Sequence, residues 1–253
     1  HTPHTIYLRG LACHPLSKRW GEELPQRPHG LIAQSDEVRA QLEALLYWAA
    51  DRGARFYNSL EANAQHSRKP LQLLRLQSAG VPVPRWCASN DPEAVRAFVA
   101  EVGAAVYKPL AGGAAVEPVT DADLCDGRLA ALRHAPVLFQ ARLHGENVRA
   151  YVVEQRVVAS VVIESDALDY RTQAHHVRRS ALSPAEHTAC LRAARACGMH
   201  FTGVDLIRTA GGPQVLECNP SPMFANVERR AGCDIAGPLA DALCSAHGVG
   251  AAK

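Results

Sequence analysis

The sequence is expected to fold as a mixed α/β protein, α+β in its larger part: a partial N-terminal α/β lobe followed by two α+β lobes. Three observations lead there. Residues 104–140 run strand, glycine loop, helix, strand. Valine-rich stretches at 148–154 and 157–164 are separated by a tight turn, which reads as a hairpin. A second hairpin is expected around Thr209-Ala210-Gly211-Gly212-Pro213, directly after a helix opened by Ser183-Pro184-Ala185-Glu186, a capping box with proline at the first helical position. A chain of 253 residues can bury a core of this size, and its expected boundaries are 1–60, 61–139 and 140–253.

Each element has a local reason. Residues 5–10 and 54–58 have strand character, and between them Ser35-Asp36-Glu37 opens a helix carrying Leu42, Leu45, Leu46 and Trp48 that ends at Gly53. Pro15, Pro25 and Pro28 make 12–30 loop-like. A helix over 70–79 stops at Gly80, and Val81-Pro82-Val83-Pro84 is extended because each proline disfavours α geometry in the residue before it. Asp91 and Pro92 start the next helix, 104–109 form a strand, an Asp-capped helix follows from about 121, and 137–140 form another strand. The turn of the first hairpin is expected at Gln155-Arg156, and the capping-box helix runs to Gly198.

Composition narrows the function. With 27 basic and 25 acidic residues the net charge is +2, which gives no reason to expect nucleic acid as a partner. No apolar run is long enough to span a bilayer and no signal-peptide pattern opens the chain, so no membrane partner is expected. The eight cysteines include no Cys-x-x-Cys and read as reduced thiols of a cytoplasmic protein. Zinc is disfavoured, because His-Glu-x-x-His is absent and the adjacent His175-His176 side chains diverge. The chain opens at His1 without methionine, so residues are expected upstream and the first lobe is expected to be incomplete. A homo-oligomer is left open.

The chemistry concentrates near the C-terminus. Asp205 lies in Gly203-Val204-Asp205-Leu206, Glu217 twelve residues on in Glu217-Cys218-Asn219-Pro220. A hairpin between them sets their strands side by side, and Glu217 and Asn219, two apart, share a face. Three oxygen-bearing side chains so arranged suit a hard cation that accompanies substrate phosphates. Cys218 should point to the opposite face, into packing. One lobe upstream, Lys108 ends a strand before Gly112 and Gly113, where a cation and open backbone can meet phosphate, although no P-loop order is present. Arg171 and Arg178, in Asp169-Tyr170-Arg171 and His176-Val177-Arg178-Arg179, could bind substrate carboxylates; a solvated basic loop reads equally well.

Taken in order, His66-Ser67-Arg68-Lys69 with the following 74–84, Val106-Tyr107-Lys108-Pro109 with its glycine loop, Phe139-Gln140, Asn147-Val148-Arg149-Ala150-Tyr151, Gly203-Val204-Asp205-Leu206 and Glu217-Cys218-Asn219-Pro220 resemble the ATP-grasp superfamily, in particular ligases like ribosomal-protein S6 glutamate ligase and glutathione synthetase. The resemblance spans about 60–245 and implies an ATP-grasp fold. By it, Lys69 and Lys108 grip ATP phosphates under a lid containing Gly112 and Gly113, Gln140, Ala141, Arg142 and Leu143 form the adenine hinge, and Glu146 meets the ribose. Asp205, Glu217 and Asn219 correspond to ligands of two Mg2+ or Mn2+ ions, Arg149 to the residue facing the transferred phosphate, and Ser221, with Arg171 and Arg178, to the acceptor side. Departures are the glycine-poor lid, Ala141 where many relatives have glutamate, and the short stretch Leu143-His144-Gly145-Glu146. The family mechanism activates a carboxylate as an acylphosphate that an amine then attacks. The implied activity is an amide-forming ligase, with glutamate as a plausible amino acid. Asp169-Tyr170-Arg171, the late Asn-Pro and 224–228 also resemble ATP-grasp enzymes that crosslink peptides through esters or amides, which keeps a macrocyclase or side-chain ligase in view. An inactive nucleotide-binding scaffold is the reading from another class.

Overall fold

A computed structural model describes residues 5–10, 22–111, 114–165 and 176–245. Strand β1 (Thr5–Tyr7), helix α1 (Pro28–Asp51) and strand β2 (Arg55–Tyr57) form a small α/β unit in which the strands pair in parallel. Helix α1 begins seven residues earlier than Ser35. Pro28 sits at the first helical position, where its missing N–H costs nothing and its fixed φ suits the helix, so it starts the helix instead of ending a loop.

Short helix α2 (Leu60–Ala64) and a 3₁₀ turn lead into α3 (Lys69–Ser78). The next lobe contains β3 (Trp86–Ser89), α4 (Pro92–Val102), β4 (Ala105–Lys108), β5 (Glu117–Pro118), α5 (Asp126–Leu129) and β6 (Val137–Ala141). Its sheet runs β3-β6-β4-β5, and Val95, Phe98, Ala105 and Phe139 fill the space between sheet and α4. Asp91 caps α4 by accepting from the Glu93 N–H, as expected. The helix expected from about 121 starts later, at Asp126, because Asp123 accepts from both the N–H and the hydroxyl of Thr120 and holds that stretch as a turn.

The largest sheet contains β7 (Glu146–Val153), β8 (Arg156–Glu164), β9 (His176–Arg179), β10 (Phe201–Thr209) and β11 (Gly212–Asn219) in the order β11-β10-β7-β8-β9, all antiparallel. The β7–β8 turn falls at Glu154 and Gln155, one residue before the expected pair, with φ of 45° and 64°. Two positive φ values match the right-handed twist of a two-residue hairpin. Helix α6 (Pro184–Ala196), with its complete Ser183/Glu186 capping box, packs on one face of this sheet. Small Ala189, Cys190, Ala193 and Ala194 let it come close to Val148, Ala150, Val152, Val204 and Leu206, and Leu76 of α3 joins the same core. Helices α7 (Ala225–Ala231) and α8 (Ala236–Ser245) cover part of the other face, α7 over Val161, Ile163 and Val177 and α8 over Tyr151 and Phe201. Among the described residues no helix is long and apolar enough to cross a membrane.

Between β6 and β7 the chain passes over the end of β10. A Cβ on Gly145 would lie 2.1 Å from the Arg208 carbonyl oxygen, and its φ is 156°. Gly145→Ala is therefore expected to destabilise the fold by about 3 kcal/mol or more, since only backbone movement relieves the clash. A urea titration with an unchanged midpoint would show that this crossing is not tight.

Candidate active site

Arg149, Asp205 and Glu217 are direct partners across three adjacent strands: Arg149 of β7 opposite Asp205 of β10, and Asp205 opposite Glu217 of β11. Asn219 lies opposite Gly203. Their neighbours Val148, Ala150, Val204, Leu206 and Cys218 point into the core under α6, so alternation puts these four polar side chains on the opposite face. A bulge interrupts the β10–β11 pairing just after Asp205, a device that re-aims a side chain at a sheet edge.

The charges are tightly arranged. Arg149 donates from Nε to Asp205 Oδ1 and from Nη2 to Asp205 Oδ2, both at 2.6 Å. Lys69 Nζ donates to Glu217 Oε2 at 2.9 Å. The Lys69 N–H reaches the Leu110 carbonyl, which ties the start of α3 to the segment after β4, and Lys108 at the end of β4 adds its charge to both carboxylates. Burial raises the pKa of Asp205, against the pull of Arg149 and Lys108 and with a further push from the Glu217 charge. Burial would raise Glu217 too, but Lys69, Lys108 and Arg149 outweigh it and hold this group at about 2. Three cations thus surround two carboxylates, and the surplus favours an anion.

In the four-stranded sheet Gln140 pairs with Val106, and Lys108 with Leu138. Phe139 and Ala105 face α4, so Lys108, Val106, Leu138 and Gln140 share the other face. Gln140 is only 3% exposed, yet its Nε2 has no partner among the described residues. A buried amide donor left unpaired is costly, and a nucleotide acceptor would satisfy it. The hinge N–H groups of Ala141 and Arg142 are bonded to the carbonyls of Arg85 and Ala104. Neither N–H is therefore open to adenine, which alters the contribution expected of these two residues; Leu143 follows them between β6 and β7.

Two expected residues are not brought to this cluster. Glu146 and Arg178 lie on the α6 face of the large sheet, in a ladder of ion pairs: Arg178 with Glu164 and Glu146, then Arg208 with Glu146 and the buried Glu186. The ribose role for Glu146 and the substrate role for Arg178 are corrected accordingly, because strand parity turns both away from Asp205 and their charges are already matched. Ser221 remains beside the site, its Oγ donating to the Arg9 carbonyl and its N–H to Asn219 Oδ1. Gly112, Gly113 and Arg171 lie outside the described residues.

Sequence reasoning missed the residues that hold the cluster in place. Thr202 Oγ1 donates to the Asn219 carbonyl, Tyr151 OH to the Met223 carbonyl, and the buried amides of Asn58 and Gln72 grip backbone on either side of Asn219. Only the three-residue spacing of Gln72 from Lys69, one helical turn, was there to be read. Among the described residues no three His, Cys, Asp or Glu side chains converge on a metal position. Two carboxylates and one amide form a sparse oxygen set, which suits magnesium because that ion keeps waters and phosphates as its other ligands.

Comparison with known proteins shows the family and the fold. A RimK-like ATP-grasp domain is matched over residues 64–243. A probable alpha-L-glutamate ligase 1 of Hahella chejuensis is 31% identical over 192 residues, 70% of this chain and 61% of that protein. A probable alpha-L-glutamate ligase of Pseudomonas aeruginosa PAO1 is also 31% identical, and the match covers 62% of its length, so the chain spans about three fifths of these relatives. The ATP-grasp ligase PsnB, solved with a phosphomimetic variant of minimal precursor, Mg and ADP, is 38% identical with a TM-score of 0.86, covering 96% of this chain and 79% of PsnB. The macrocyclase MdnC bound with precursor peptide MdnA, from Microcystis aeruginosa MRC, shares the fold at 21% identity and a TM-score of 0.73, over 95% of this chain and 78% of MdnC.

Proposed function

The chain belongs to the RimK-like ATP-grasp family, and from that premise we propose that it is an ATP-dependent carboxylate–amine ligase that forms an amide through an acylphosphate. The observation that carries this reading is the row Arg149–Asp205–Glu217 with Lys69 paired to Glu217, which joins two metal-type carboxylates to phosphate-type cations. Asp205, Glu217 and Asn219 would hold Mg2+ or Mn2+, two ions in the full reading. When bound, the metal neutralises charge on the phosphate oxygens.

The chain's own residues supply grip and orientation. Lys69 and Lys108 bind phosphates, Gln140 donates its unpaired Nε2 to the nucleotide, and Ala141, Arg142 and Leu143 border the base. Gly112 and Gly113 belong to the lid in this reading. Arg149 spends Nε and an Nη2 donor on the two oxygens of Asp205, and this pairing fixes the guanidinium plane beside the metal ligands, so that its remaining N–H groups would meet a phosphate oxygen. A substrate carboxylate oxygen bonds to the γ-phosphorus as ADP leaves. An amine nitrogen, having lost a proton, then bonds to the acyl carbon as phosphate leaves, with no covalent enzyme intermediate. Cys218 is directed into the core and has no part in this.

The substrate pair is an amino acid such as glutamate joined to a small molecule or peptide, as the glutamate ligase relatives suggest. A peptide macrocyclase or side-chain ligase is the second reading, supported by the 38% identity of this chain to PsnB, which was solved with a phosphomimetic variant of minimal precursor, Mg and ADP. A cytoplasmic setting belongs to the same proposal, supported by the free thiols of all seven cysteines among the described residues.

The deciding assay is magnesium-dependent release of ADP and phosphate with pooled amino acids, small carboxylates and acidic peptides, followed by mass spectrometry. A product one water lighter than its substrates identifies the ligase, and loss of water within one peptide identifies the macrocyclase. ATP binding without release in any pool favours the inactive scaffold. Lys108→Ala is expected to weaken ATP binding about tenfold, the loss of a charge-assisted contact. Equal affinity by calorimetry would reduce Lys108 to a background charge.

A further inference from the structure

We propose that Gln72 is a positioning residue that fixes the spacing of Glu217 and Asn219, a role that rests on the metal–nucleotide reading above. Among the described strands β11 pairs only with β10 and is an edge of the five-stranded sheet, with its Val215 N–H donating to the Pro82 carbonyl. The outward backbone groups of such a strand need other partners. At Cys218 the Gln72 side chain supplies both: Nε2 donates to the Cys218 carbonyl at 2.8 Å, and the Cys218 N–H donates to Oε1 at 2.9 Å. The carboxamide thus acts as a one-residue neighbouring strand, and it is only 3% exposed, so water is kept from competing.

Cys218 is the residue between Glu217 and Asn219. Its own side chain is anchored in the core under α6, its backbone is held by Gln72, and its two neighbours project from the opposite face. The next two carbonyls are held as well: that of Asn219 accepts from Thr202 Oγ1 at 2.8 Å, and that of Pro220 from Asn58 Nδ2 at 2.7 Å, an amide that also donates to the Phe201 carbonyl at 2.6 Å. A helix therefore reads two consecutive residues of β11, Lys69 meeting the carboxylate of Glu217 and Gln72, one turn later, the backbone of Cys218. Magnesium and manganese sites tolerate little error in ligand position, and supporting groups of this kind govern affinity through the ligands they orient.

The test uses Mn2+ with ADP, titrated by electron paramagnetic resonance against the whole chain. Gln72→Met keeps volume and removes both hydrogen bonds, and is expected to lower Mn2+ affinity in the presence of ADP by about tenfold or more. The control is Gln65→Met. Gln65 is also buried and its Nε2 donates to the Cys197 carbonyl at 2.8 Å, and among the described residues its side chain makes no hydrogen bond to β11, so that variant should bind within about twofold of the parent chain. A merely structural role would lower thermal stability in both variants and leave Mn2+ affinity equal in the two. If Gln72→Met does not fold, Gln72→Ala, whose space admits water to the two backbone groups, carries the same comparison. Unchanged Mn2+ affinity in the Gln72 variant overturns the proposal alone. Absence of Mn2+–ADP binding in the unsubstituted chain overturns the metal–nucleotide reading and this role with it.

Discussion

Glu217→Gln is expected to reduce ATP turnover by roughly three orders of magnitude, corresponding to about 4 kcal/mol of lost charge stabilisation on the transferring phosphate. The amide keeps the size of the carboxylate and one acceptor oxygen, so the β10–β11 pairing and the contact with Lys69 can persist. What it removes is the negative charge. That charge is secure in the native protein: burial opposes it, but Lys69, Lys108 and Arg149 outweigh burial and hold the group at about 2. A carboxylate whose folded pKa is lowered stabilises the fold above its unfolded pKa, and that share is lost as pH falls through about 2. Glu217→Gln should therefore also flatten the acid end of the stability profile and lower the neutral melting temperature, because the share lost in the parent only at low pH is absent from the variant at every pH. Steady-state ADP release and a pH series of thermal melts measure the two effects separately. Turnover at the parent rate would remove Glu217 from the mechanism.

The parts of this molecule that were legible in the sequence are those dictated within a few residues. Asp91-Pro92 and Ser183-Pro184-Ala185-Glu186 start helices because the cap is a local arrangement, and the glycine-rich turn after Thr209 sets its two strands side by side; the register of that turn alone would put Asp205 opposite Leu216, and the bulge after Asp205, which no local motif announces, brings Glu217 there instead. Glu146 and Arg178 misled for a related reason. Their motifs were read in one dimension, whereas strand parity decides the face, and Arg208, which claims Glu146, lies 62 residues from it in the chain, while Arg178 is claimed by Glu164 and by Glu146 itself. The short strands β3, β5 and β9 were not anticipated either; each has at most four residues and exists through its partners. Asn58 and Gln72 carry no motif at all, and the Phe139-Gln140 landmark does not show that the Gln140 amide is buried without a partner among the described residues. An amide is interpretable only when the backbone it grips, or the absence of a partner for it, can be seen.

Arg149→Lys is expected to lower kcat about a hundredfold with a much smaller change in KM for ATP, because it keeps the charge and removes the fork. In the native site both nitrogens used, Nε and Nη2, lie 2.6 Å from separate oxygens of Asp205. A lysine in the same strand position can meet one oxygen at a time. Ground-state attraction for phosphate depends mainly on net positive charge, which the substitution preserves alongside Lys69 and Lys108. The transferring phosphoryl group spreads its charge over several oxygens, and planar, two-point donation matches that distribution better than a single ammonium. Gly203 beside it has room only for hydrogen, a Cβ there falling 2.9 Å from Pro222 Cβ, and the fork itself is aimed by its two bonds to Asp205. Measured with ATP varied at saturating substrates, a fall in kcat with KM nearly constant assigns the fork to the transition state. A rise in KM at constant kcat would instead assign Arg149 to nucleotide binding, and parent kinetics would reduce it to the ionic partner of Asp205.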